Sequence, residues 1–175
     1  KRLTVVGVAE EAGMTHANVY RYFPSKEALI DSVVEDWLKS VERRLADIVD
    51  GPDPAGDKLE RLVLAMARAN RLALSDDPRL FEALKDSLSR RSAVTRRHRA
   101  RVRHLIERIV DDGISTASFE PRDRDRAVAL VIDATHRFVH PVAIELEAGA
   151  PQATTDMRLN ALIRVVLRAL ATGSV

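Results

Sequence analysis

The stretch Thr15-His16-Ala17-Asn18 holds the side chains best suited to a specific chemistry in this chain. Histidine and asparagine offer donors and acceptors that match base edges, and alanine can touch a thymine methyl. Tyr20, Tyr22 and Lys26 follow, with hydroxyls and an ammonium fit for phosphate oxygens. Contacts of that kind position a protein on a duplex without reading its sequence. Upstream, Thr4 can hold a phosphate at the start of a helix. The elements that must present these groups are two short helices, one capped by Thr4 and the other by Thr15. Gly13 lies between them, where the chain turns. Ala9 stands four residues earlier, small enough for a close crossing, and Val19 six residues later, placed to pack back on Val8 and Ala9. This is the packing logic of a helix-turn-helix, whose second helix enters the major groove N-terminal residues foremost. Two short helices joined through glycine are also common in all-α proteins, so the spacing by itself leaves a purely structural reading open.

The rest of the chain reads as helices. Its 175 residues are 31% charged and only 4% aromatic, with Ala, Leu, Val and Arg recurring. That bias favours helix over strand. A helix is predicted from Ser25, its cap, to about Asp50, with Leu29, Val33, Trp37, Val41, Leu45 and Ile48 on one face. Gly51-Pro52-Asp53-Pro54-Ala55-Gly56 ends it. A second stripe runs Leu59, Leu62, Val63, Met66, Ala69, Leu72, Ala73. Asp77-Pro78 starts a third helix. A fourth covers roughly Ala93–Val110, with Gly113 as its stop. Asp123 caps the next, which Pro141 should kink, and Thr155 or Asp156 opens the last. The final two helices are apolar on more than one face, and a second copy of the chain is the simplest cover.

Several classes are excluded or disfavoured. Cysteine is absent, so disulfides, thiol nucleophiles and thiolate metal sites are ruled out. There is no Gly-rich phosphate loop, no G-x-S-x-G and no H-E-x-x-H, so the chain does not read as an enzyme. No cofactor is expected. No run of 18 apolar residues exists to span a membrane. The formal charge of +2 is too small to identify a nucleic-acid binder, which leaves the case to local residues.

The tail of the motif, Val19-Tyr20-Arg21-Tyr22-Phe23-Pro24-Ser25-Lys26-Glu27-Ala28-Leu29, closely resembles the signature of the TetR family of bacterial transcriptional regulators. The resemblance is specific over about residues 3–30 and architectural beyond. It implies an all-α protein in two parts. Residues 1–45 would be a helix-turn-helix DNA-binding domain with its connecting helix, and residues 46–175 a helical domain for effector binding and dimerisation. The expected function is a cytoplasmic homodimeric repressor, released from a palindromic operator by a small effector. An all-helical adaptor that binds protein partners and no DNA is the competing reading. Carried onto this chain, the DNA-facing positions are Thr4, Thr15, His16, Ala17, Asn18, Tyr20, Arg21, Tyr22 and Lys26. Family members often place an arginine where this chain has Val6, and have a full helix before the first one here. About one helix of sequence is therefore expected before Lys1.

Weaker signals sit in the C-terminal part. Trp37, Met66, Phe81, His136, Phe138 and His140 are candidates for an effector pocket, and Val131, Ala134, Phe138, Leu159, Ile163, Val166 and Leu170 for a dimer interface. His136 and His140 share a helical face but lack a third ligand for zinc, so no metal is assigned. Eight arginines between Arg90 and Arg108 face one acid, Glu107. They could form an anion site, but the favoured reading is a solvated face that balances the acids between Glu27 and Asp86.

Overall fold

The computed structural model describes Thr15 and residues 21–175, and these contain seven helices and no strand. Of the predicted DNA-facing residues, Thr4, His16, Ala17, Asn18 and Tyr20 lie outside the described residues, as does the turn at Gly13.

Helix α1 runs Lys26–Asp50 without a break. Ser25 starts it as expected, its hydroxyl accepting the Ala28 amide at 3.1 Å. The proposed domain boundary at residues 45/46 thus falls inside a continuous helix. Its buried residues Leu29, Ile30, Val34, Leu38, Val41, Leu45 and Val49 recur every three to four positions, so a single stripe faces inward along its whole length. Helix α2 is Ala55–Asp76, and α3 is Pro78–Ser89 with the Asp77 carboxylate accepting from the Leu80 amide at 3.0 Å. Helix α4 spans Ala93–Ser115, capped by Ser92. Helix α5, Arg124–Val139, is capped by Asp123, which accepts from the amides of Asp125 and Arg126. The break predicted at Pro141 is present: α5 ends at Val139, His140 is extended, and the short α6 covers Pro141–Leu146. Helix α7, Gln152–Ala171, starts a turn earlier than expected, because the Pro151 carbonyl already accepts the Thr154 and Thr155 amides.

Two positions correct the sequence reading. Gly113 does not stop α4, which continues to Ser115. The chain reverses at Ala117, φ 54°, and the amides of Ser118 and Phe119 both donate to the Gly113 carbonyl. That brings the Phe119 ring onto Gly113, where an added Cβ would lie 2.1 Å from the ring. The glycine is there for close approach rather than termination. In α2, Leu72 is exposed, and the inward stripe passes instead through Ala69, Asn70 and Ala73.

Packing concentrates in two apolar clusters. The larger joins α2, α4, α5, α7 and the C-terminal half of α1 around Leu45, Leu59, Leu62, Ile109, Val128 and Leu159. The smaller joins the start of α1 to α3 and the start of α4 through Ile30, Val34, Leu38, Ala83, Leu84 and Val94. Trp37, half-buried, packs against both.

Candidate DNA-facing end and ligand cavity

At the N-terminal end of α1, Arg21, Tyr22 and Lys26 are all exposed, as is Thr15. Tyr22 keeps 65% of its surface in solvent. An amphipathic side chain so placed between two cations offers its hydroxyl outward. The end is anchored from below by polar contacts. The Asp31 carboxylate accepts from Ser87 Oγ at 2.8 Å and from the Arg90 guanidinium at 2.9 Å, tying α1 to the end of α3. Ser87 Oγ also lies 2.7 Å from Ser92 Oγ, the cap of α4.

The arginine-rich α4 carries no surplus anion site among its paired side chains. Arg97 meets Glu35 at 3.2 Å, Arg101 meets Glu42 at 3.3 Å, Arg103 meets Glu107 at 2.9 Å and Arg108 meets Asp50 at 2.6 Å. Glu42 also accepts from His98 Nδ1 at 2.8 Å. Burial outweighs that hydrogen bond and lowers the His98 pKa from its ordinary value of 6.5. Acids of α1 therefore pair with Arg97, Arg101 and Arg108 of α4, in line with the solvated-face reading.

A cavity of about 170 Å³ lies between α2, α5, α6 and the start of α7. Leu74, Phe138 and Ile144 supply apolar walls, and Arg71, Arg137 and Glu147 bring charge. Its frame is fixed by Asn70, whose side-chain amide donates to the carbonyls of Met66 and of Val139, at 3.2 and 3.0 Å. The second bond satisfies a carbonyl at the broken end of α5. Arg71 Nη1 donates to Asp156 on α7 at 2.6 Å, while Arg71 Nε is buried with no partner. Arg137 pairs with Glu147, and Arg158 reaches the same carboxylate at 3.3 Å while lying over the Phe138 ring at 5.8 Å. The hydrogen bond from Arg137 holds the Glu147 carboxyl below the usual carboxylate range.

Of the six residues named for an effector pocket, only Phe138 lines this cavity. Phe81 is fully buried in packing, with the Lys85 ammonium 5.7 Å from its ring centroid. Met66 and Trp37 pack against the clusters. His136 is exposed and His140 half-buried, their rings stacked 4.5 Å apart across the α5–α6 break. Burial, then His136, then Arg99 lower the His140 pKa. No group of three metal-ligating side chains occurs among the described residues. Sequence reasoning missed Arg71, Arg137 and Glu147. The signal was available for the first: Asn70-Arg71 interrupts the apolar stripe of α2 where another aliphatic pair is due.

The residues named for a dimer interface also need correction. Val131, Leu159, Ile163, Val166 and Leu170 are at most 4% exposed within the single chain. They form the seam between α5 and α7, and cannot also face outward. Ala134 and Phe138 are half-buried against the same cluster. The apolar residues that α6 and α7 do expose are Val142, Leu146, Met157 and Val165. Periodicity had shown that α7 carries more apolar surface than one stripe, but not which stripe its own chain covers. Among the described residues, no helix is long and apolar enough to cross a membrane.

Comparison with known proteins agrees with this architecture. Residues 1–33 match the family described as "Bacterial regulatory proteins, tetR family", and residues 55–163 match "Tetracyclin repressor-like, C-terminal domain". The HTH-type transcriptional repressor KstR of Rhodococcus jostii is 31% identical over 126 residues, which are 71% of this chain and 55% of that protein. The chain thus spans little more than half the length of that relative. The nucleoid occlusion factor SlmA of Marinobacter nauticus is 27% identical over 153 residues, covering 83% of this chain and 77% of the other. The crystal structure of PfmR, a TetR family transcriptional regulator from Thermus thermophilus, superposes with a TM-score of 0.66 at 20% identity, over 95% of this chain and 88% of its own. With a family match over more than half its length and the motif tail intact, the chain belongs to the TetR family of bacterial transcriptional regulators.

Proposed function

We propose that this chain is a ligand-released repressor that binds a palindromic operator as a homodimer. Thr15, His16, Ala17 and Asn18 read bases, while Thr4, Tyr20, Arg21, Tyr22 and Lys26 grip the strands. The observation that carries the reading is the exposed Arg21, Tyr22 and Lys26, at and just before the start of a helix whose other end is sealed in the main core. A rigid helix joining a cationic, phenolic tip to the core on which the cavity residue Phe138 packs suits a molecule that trades DNA binding against ligand binding. The relatives named as repressors support the same assignment. The two halves of the dimer meet on the outward sides of α6 and α7, through Val142, Leu146, Met157 and Val165. The ligand occupies the cavity beside Arg71.

Fluorescence anisotropy with a labelled duplex from the gene's own upstream region tests the reading. Affinity should fall linearly with salt on logarithmic axes, and Lys26→Ala should reduce the slope by about 0.9, the share of one phosphate contact. Absence of duplex binding at about 50 mM salt, with dimers intact by sedimentation, removes the DNA assignment and leaves the adaptor.

A further inference from the structure

We propose that the cavity between α2, α5, α6 and α7 takes a small monocarboxylate with an apolar body about one ring in size. The proposal rests on this cavity being the effector site and names the chemical class that fits it.

Size comes first. A cavity of about 170 Å³ is close to the roughly 150 Å³ apolar void that accommodates benzene. Leu74, Phe138 and Ile144 give it apolar walls. Charge comes second. Arg71, Arg137 and Glu147 line the cavity, and Asp156 and Arg158, outside its lining, pair with them, three guanidiniums to two carboxylates in all. One positive charge is left for a ligand to balance, which suits a monoanion better than a dianion or a cation. Hydrogen bonding comes third. An arginine has five N–H donors in a fixed fork. The Asp156 carboxylate takes one of them from Nη1, and Nε has no acceptor although it is buried. Buried polar groups in proteins nearly always find a partner. A carboxylate is the acceptor that fits an arginine edge two bonds at a time. A neutral amide of the same shape fills the walls and can accept a single bond from Nε, without the charge or the second acceptor oxygen of a carboxylate.

The test is calorimetric titration of the full chain, without DNA, using benzoate, benzamide and inorganic phosphate as probes. Benzoate should bind, with benzamide and phosphate at least about tenfold weaker, one such bond being worth that factor. Arg71→Lys keeps the charge and a partner for Asp156 but loses the fork, and should weaken benzoate about tenfold. Asp156→Asn removes one negative charge and the charge-assisted hold on Nη1, and should tighten it. Thermal melts of both variants establish that they fold. Equal binding of benzoate and benzamide, an Arg71→Lys affinity equal to the parent's, or no benzoate binding at millimolar concentration overturns the proposal. Failure here and failure of the repressor reading are separable. Benzoate binding without DNA release keeps this site and removes its effector role. DNA release by another ligand, with benzoate not bound, removes this site alone.

Discussion

The two ends of α1 are held in different ways. Its C-terminal half enters a large cluster of aliphatic side chains from four other helices, where Leu45, Leu59 and Leu62 have essentially no exposed surface. Among the described residues, its N-terminal half packs through Ile30, Val34 and Leu38 on Ala83, Leu84 and Val94, beside a polar lattice of Asp31, Ser87, Arg90 and Ser92. Apolar area is what chiefly stabilises a fold, so the first contact is built for permanence. Single hydrogen bonds contribute less than such apolar burial, and they are directional. The second contact therefore fixes a geometry more than it adds stability. Judged on the described residues, the end nearer the proposed DNA-facing positions is the one expected to yield first.

Substitutions can sharpen or break this contrast. Leu62→Ala should have the largest effect, a loss of about 3–4 kcal/mol in urea unfolding, with all helices losing protection together. Leu84→Ala, in the smaller cluster, should cost about 2–3 kcal/mol and raise amide exchange mainly in α3 and the start of α1. If Leu84→Ala unfolds the molecule as uniformly as Leu62→Ala, the two clusters are one cooperative unit and the contrast fails. Gly113→Ala should cost about 1–3 kcal/mol by driving a methyl into the Phe119 ring, and Phe119→Leu should recover part of it. Asp31→Ala should cost only about 1–2 kcal/mol by the same unfolding measurement. Its exchange signature should stay confined to the α1–α3 contact.

The smallest effect is a pH dependence. His98, between α1 and α4, has its pKa lowered by burial, so the folded state disfavours the proton that the unfolded state accepts near 6.5. The unfolded chain then binds more protons, and stability is full above that value and declines as pH falls through it. Unfolding free energies at about pH 7.5 and 5.5 should show this decline, and His98→Gln should reduce it. An unchanged decline in the variant would assign it to other groups, His140 first, since burial lowers it too.

Most of the helical frame was legible because its punctuation is local. Ser25, Asp77 and Asp123 each cap the helix that their position announced, and Pro141 breaks one. Such signals act over a few residues, and a sequence displays them directly. Gly113 misled because the reason for it lies in the fold-back of Phe119, a contact made only after the chain reverses. The interface residues misled for a related reason: a stripe announces burial but not the surface that buries it. At Arg71 the interrupted stripe of α2 marks an unusual position, but its partner, Asp156, lies 85 residues away and is brought beside it only by the fold. The motif that identifies the family was readable throughout residues 3–30, and the family match over residues 1–33 agrees with it.

The unbroken length of α1 has a geometric consequence. Its 25 residues make a rod of about 37 Å. Pivoting by about five degrees at the Asp50 end would carry the Lys26 end through about 3 Å, nearly the rise from one base pair to the next. A lever of that ratio needs very little displacement at its fulcrum. Side chains there could stay in contact throughout while the far tip moved by a full rung of the duplex.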